Sequence, residues 1–198
     1  MTGLVRKLTW SDFKGVEPES ASMVAEARPT FSVSGASTKS VGKGPSMTWQ
    51  LGDTITVAVT FDSANSWVSG SVSGLAQADK DALLKHEQGH YDLVALLARD
   101  MFIEMMQLKA ESFSYSSEIG QKVTAIHTRY GNLAQPVQDL YDATAQTNNG
   151  KNKAKQIIWD GYINTAFTQV RASGGSTPGG TMYKAELIPL LKQNGLQI

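Results

Sequence analysis

The sequence predicts an α+β fold: a small N-terminal antiparallel sheet followed by a helical half. Three observations carry this. Residues 1–72 are rich in Ser, Thr, Gly and Val and contain a clean two-residue alternation. From about Ala76 the apolar residues recur at spacings of three and four instead. Proline and glycine cluster between the early apolar runs, and no proline interrupts Ala76 to Glu111. The 198 residues are read as a single domain, with 1–75 mainly β, 76–172 helical, and 173–198 a flexible loop and short terminal helix.

The clearest strand is Thr54 to Phe61, where Ile55, Val57, Val59 and Phe61 alternate with Thr54, Thr56, Ala58 and Thr60. One face is apolar and the other mostly hydroxylated, as in a sheet with one buried side. Leu4–Thr9, Thr30–Val33 and Met47–Leu51 are shorter candidates. Pro18, Pro29 and Pro45, with Gly35, Gly42 and Gly44, mark turns between them. The first helix carries Leu83, Leu84, Val94, Leu97, Met101, Met105 and Leu108 on one stripe. Ser112–Ser117 is a polar break. A second helix follows from about Glu118 to Thr147, kinked or divided at Pro136 and ended by Asn148-Asn149-Gly150. A third spans about Lys153 to Ala172. A Gly/Ser loop at 173–180 and a terminal helix near Lys184–Gln193 complete the chain.

Composition excludes several classes of function. Lysine plus arginine and aspartate plus glutamate both number 18, so no basic nucleic-acid footprint is expected. Lys151, Lys153 and Lys155 make a solvated turn, too small for one. No apolar run approaches the ~20 residues that cross a bilayer. Met1 to Phe13 has no signal-peptide pattern, so the chain as it stands reads as cytoplasmic. Cysteine is absent, which leaves histidine and carboxylate as the available metal ligands.

One motif carries chemistry. Leu84-Lys85-His86-Glu87-Gln88-Gly89-His90-Tyr91 contains H-E-x-x-H within the first helix. Two histidines four apart project from one face, one turn apart, so both imidazoles reach one ion. Glu87 then stands where it can take a proton from a metal-activated water. Gly89 adds weight. A glycine inside a helix costs ~1 kcal/mol relative to alanine, and close approach of another segment would explain it. Two imidazoles, a carboxylate and water suit the tetrahedral preference of Zn²⁺.

Geometry selects the third ligand. If the first two helices form an antiparallel hairpin turning near Ser114, His86 stands level with Asp142. The remaining histidine, His127, is level with Met101 and therefore roughly 16 Å along the axis from His90. Glu104 meets the same objection. Asp92 lies about 200° around the helix from His90 and points away. Asp142 is therefore the expected ligand.

These residues resemble a known family. Leu8-Thr9-Trp10-Ser11-Asp12-Phe13, Ser66-Trp67-Val68, the segment from Leu84 to Asp92, Tyr141-Asp142, Thr147 to Gly150, and Gln156 with Trp159 together fit its pattern. The family is a bacterial group of predicted, often secreted, zinc-dependent proteases classed as a domain of unknown function. The resemblance spans Leu8 to Trp159 and implies a zincin-like domain with metallopeptidase activity on a peptide or protein substrate. It also allows secretion. One element departs: the family pattern carries a histidine just before the glycine, where this chain has Asn149, and its spacing from Tyr-Asp is shorter. That leaves the third ligand open between Asp142 and the Asn149 region, with a weakened site if that histidine is a ligand in the family.

The expected mechanism has His86, His90 and Asp142 holding Zn²⁺, with Glu87 as general base. The substrate is expected to add as a strand along Thr54–Phe61 or a neighbouring sheet edge. Tyr91, Tyr130 and Tyr141 are candidate oxyanion donors, but packing is the stronger reading of each. The four tryptophans, and Met101, Met105 and Met106, read as core. Two other classes remain: a catalytically inactive zinc-stabilised binding or regulatory module, and a structural helical hairpin with a chance motif.

Overall fold

The computed structural model describes residues 1–168 and 186–198. The loop expected at 173–180 lies outside them, as do the last residues of the third helix and Lys184 at the start of the fourth. Six strands come first: β1 (Ala25–Glu26), β2 (Pro29–Ser34), β3 (Thr38–Val41), β4 (Thr48–Leu51), β5 (Thr56–Phe61) and β6 (Trp67–Val68). The helices follow: α1 (Gln77–Gln107), α2 (Ser116–Asp142), α3 (Lys153–Thr168) and α4 (Leu187–Gln193).

The strands form three two-stranded antiparallel ladders, β1 with β6, β2 with β5 and β3 with β4. β5 behaves as its alternation predicts, burying Val57, Val59 and Phe61 while Thr56 and Thr60 face solvent. Leu4–Thr9 does not form a strand. Its backbone is held by a helix instead: the Gln88 carbonyl accepts from Leu8 N–H at 2.8 Å, and the Gln88 amide donates to Arg6 O at 2.8 Å. A side chain on α1 thus takes the bonds a neighbouring strand would make, and Leu8 is buried in the core. Only Thr2 bridges to β5, at Ala58.

α1 is the axis of the molecule. It packs against β2 and β5, against α2, and against α3 and α4. Every residue from Leu93 to Met101 is buried, so this stretch has no solvent face. That burial includes Arg99 and Asp100, which satisfy one another. Arg99 Nε and Nη2 donate to Asp100 Oδ1 at 2.9 and 2.6 Å, and Nη1 donates to Ala166 O on α3. The other Asp100 oxygen accepts from Leu187 N–H at 2.7 Å, capping the first turn of α4. Burial pushes the Asp100 carboxyl up to about 6.

α2 returns antiparallel to α1. His86 faces Asp142 near one end, Glu104 pairs with Arg129 in the middle, and Glu111 pairs with Lys122 near the turn. Pro136 does not divide α2, which continues unbroken to Asp142. Pro136 and Asn132, whose carbonyl loses its helical donor there, are both exposed, so water can serve that carbonyl. The helix stops at Asp142 rather than Thr147 because Ala143 takes an extended ψ of 145°. Met101, Met105, Met106, Trp67 and Trp159 lie in the core, and Trp10 and Trp49 pack against it. Among the described residues no helix is long and apolar enough to cross a membrane.

Candidate metal centre

His86 and His90 project from the same face of α1, with ring centroids 4.9 Å apart. Both point at the last residue of α2. His86 Nε2 lies 3.0 Å and His90 Nε2 3.1 Å from the same oxygen, Asp142 Oδ1. Among the described residues these three form a group whose donor atoms lie within 4.8 Å of one another. His127 is elsewhere, its ring edge-on to Phe31. Glu104 is bound to Arg129 and Tyr130, and Asp92 accepts from Gln88 at 2.8 Å.

Gln156 fixes the proton on His86. Its amide nitrogen donates to Asp160 Oδ1 at 2.9 Å and to the Tyr141 hydroxyl at 2.6 Å. A carboxylate only accepts, so the amide carbonyl must be the atom that faces His86 Nδ1, at 3.0 Å. Nδ1 therefore carries a hydrogen, and Nε2 is the ring atom turned towards Asp142 Oδ1. Asp142 Oδ1 and His90 Nδ1 are buried and without a hydrogen-bond partner.

Such a cluster could hold a cation. Burial acts to raise the Asp142 carboxyl, but His86 and His90 outweigh it and hold it well below the usual range. Burial likewise acts to lower His90, and Asp142 with Glu87 overcomes it and raises the imidazole. Donor atoms ~2.0–2.2 Å from a tetrahedral zinc stand about 3.3 Å apart, close to the 3.0 and 3.1 Å seen here. Two imidazoles and one carboxylate oxygen fit Zn²⁺ by type, number and separation.

Gly89 has the reason its place in a helix demands. A Cβ there would overlap the Tyr141 hydroxyl and stand 2.8 Å from Tyr141 Cζ. Tyr141 cannot retreat: it is fully buried, stacked on His86 at 4.7 Å between centroids, and its hydroxyl donates to His86 O. Gly89→Ala is therefore expected to destabilise the protein by about 1–3 kcal/mol, overpacking outweighing the ~1 kcal/mol that alanine gains in a helix. Denaturant unfolding checks the sign; a stabilised variant would refute the close approach.

The loop after α2 closes over His86 from the other side. Thr147 donates through both N–H and hydroxyl to Tyr141 O, and Asn149 N–H donates to Asp142 O at 3.2 Å. Asn148, Asn149 and Gly150 all have left-handed backbones, with φ of 52°, 52° and 76°. For a non-glycine residue this costs about 1–2 kcal/mol. At Gly150 a Cβ would come within 3.0 Å of the His86 ring, so a close approach as well as a positive φ selects glycine.

Glu87 is buried on the same face. Its Oε2 accepts from Ala27 N–H at 2.8 Å, and its other oxygen accepts no hydrogen bond among the described residues. Burial pushes this carboxyl above its ordinary value, against the pull of His90, His86 and the Ala27 amide. The motif glutamate is thus tied to the chain between β1 and β2.

That chain forms one wall of a cleft of about 530 Å³ containing His86, Glu87, His90 and Asp142. Val24 O and the N–H and C=O of Arg28 bond towards the β5–β6 side, whereas Ala27 N–H points the opposite way, to Glu87. Alternation along a strand then turns the main chain of Ala25 and Ala27 towards the cleft. The free edge beside the site is β1–β2. β5 is flanked on both sides, by β2 and by Thr2, so Thr54–Phe61 is not the edge that the alternation made it seem. The three tyrosine hydroxyls are engaged elsewhere: Tyr91 with Gly3 O, Tyr130 with Glu104, and Tyr141 with Gln156 and His86 O. The family pattern marks Gln156 without giving it a role, and Ala27 carries no signal, because both roles depend on segments that meet only in the fold. No family model, no curated protein and no solved structure matches the chain.

Proposed function

We propose that this protein is a zinc-dependent metallopeptidase that cleaves extended peptide segments. The observation that carries the reading is the convergence of His86, His90 and Asp142 on one point, with the Glu87 carboxylate beside them in an open cleft. A zinc ion held by the three donors would supply Lewis acidity, polarising a carbonyl and making water acidic near neutral pH. The other tasks fall to the chain itself. Glu87, anchored through one oxygen by Ala27 N–H, uses the other to accept the water proton and pass it to the leaving amine. Gln156 keeps the His86 Nε2 lone pair directed at the ion. With Ala27 N–H held by Glu87, the main chain of Ala25 and the Ala27 carbonyl are the groups of this edge against which a peptide could lie as an added strand.

Metal analysis tests this first. The purified protein is expected to hold about one equivalent of zinc and to hydrolyse an unfolded protein substrate. A chelator should abolish that hydrolysis and added zinc restore it. A protein that binds no zinc would leave a structural hairpin with a chance motif. Stoichiometric zinc without hydrolysis across a broad peptide library would identify the binding module instead.

A further inference from the structure

Hydrolysis of an amide turns the carbonyl oxygen into an oxyanion, and a donor fixed before the reaction is worth most there. The tyrosine hydroxyls are spent, and Gln135 is bound to Asp139. Arg28 is paired with Glu26 at 2.9 Å. Beside the ligands, however, lies the left-handed turn. Asn148 and Asn149 are the only non-glycine residues with positive φ among those described. Strained backbone of this kind persists where surrounding structure enforces it, and it concentrates at functional sites. Here the enforcement is visible. Asn148 N–H donates to Ala143 O at 3.1 Å, Asn149 N–H to Asp142 O at 3.2 Å, and Lys151 N–H to Asn148 O at 3.1 Å. Gly150 is seated against the His86 ring.

Asparagine tolerates this conformation, which accounts for the residue type at both positions. The two differ in what they face. Asn149 lines the cleft with His86 and Asp142, and Asn148 does not. The Asn149 side-chain amide makes no hydrogen bond among the described residues, although its backbone is bound to the ligand residue itself. A short side chain on an anchored backbone is preorganised in a way that the exposed, flexible Lys151 on the same rim is not.

We infer that Asn149 is a catalytic residue whose side-chain amide donates a hydrogen bond to the oxyanion of the tetrahedral intermediate. The inference rests on the peptidase reading. Water oxygen adds to the carbonyl carbon, the C=O electron pair moves to oxygen, and Asn149 N–H stabilises that charge without giving up its proton. Glu87 carries the water proton to the leaving nitrogen as the C–N bond breaks.

Asn149→Gly and Asn149→Asp test it, since both residues tolerate the left-handed backbone and neither retains the donor. The expected result is a 10²–10³-fold fall in kcat with KM changed less than about threefold. Zinc should remain at one equivalent and the melting temperature should not fall in Asn149→Gly. Calorimetric binding of an alanine-based phosphinic peptide, a tetrahedral mimic, should weaken about 10²-fold in the variant, while binding of the product peptide is unchanged. Asn148→Gly should leave kcat as it is. Unchanged kcat in Asn149→Gly would overturn the inference, as would loss of zinc from that variant, which would make Asn149 a ligand. A larger loss in Lys151→Ala than in Asn149→Gly would give the role to Lys151. These outcomes are distinct from failure of the peptidase reading, in which wild-type protein itself hydrolyses nothing.

Discussion

Glu87→Gln is expected to lower peptide hydrolysis by about 10²–10⁴-fold while zinc stays at one equivalent. The substitution preserves shape and leaves a carbonyl oxygen for the Ala27 N–H, which now donates to Glu87 Oε2 at 2.8 Å. It removes the ability to accept a proton. It also removes a charge from a side chain that is almost fully buried and whose carboxyl is pushed upward by that burial. The folded state should therefore lose nothing, and the melting temperature should hold or rise. Loss of turnover with an intact, zinc-loaded fold isolates the proton transfer. Survival of turnover would mean that another group is the base.

Asp142→Ala is expected to act on the metal instead, weakening zinc binding by at least 10²-fold and abolishing activity with it. The carboxylate supplies one of three donors, and its Oδ1 is the atom both imidazoles face at 3.0 and 3.1 Å. Zinc at 100 times its dissociation constant adds about 2.7 kcal/mol to stability. For a chain this size that is a rise of roughly 5–10 °C in melting temperature. Wild-type protein should show the rise and Asp142→Ala should not. Without zinc Asp142→Ala should itself melt lower, because it removes a carboxylate that the two imidazoles hold below its usual range. The zinc-induced rise is therefore read against each protein's own zinc-free value. An equal zinc response in both would remove Asp142 from the ligand set.

The pairing of His86 with Asp142 was legible because helices are rods. Once Ser112–Ser117 is read as the turn, a fixed rise of ~1.5 Å per residue carries the register from one helix to the other. The same regularity set His127 and Glu104 aside. What periodicity does not encode was missed. β1 and β6 have two residues each, too short for an alternation to show. β3 is exposed along its whole length and carries no apolar pattern. Leu4–Thr9 has strand-forming residues, but Gln88, a side chain about eighty positions away, takes its hydrogen bonds. Gly89 was readable as an anomaly, since a glycine there needs a reason. That the reason was Tyr141, held by Gln156, could come only from the packed molecule.

The bond between Ala27 and Glu87 sets the gauge of the cleft. It stitches the β1–β2 wall of the cleft to the helix that carries His86, Glu87 and His90. Spreading those two walls to admit a bulky folded body would unseat the proton acceptor in the same motion. On the peptidase reading the slot would then work only at its resting width, and would take chain that arrives already unravelled.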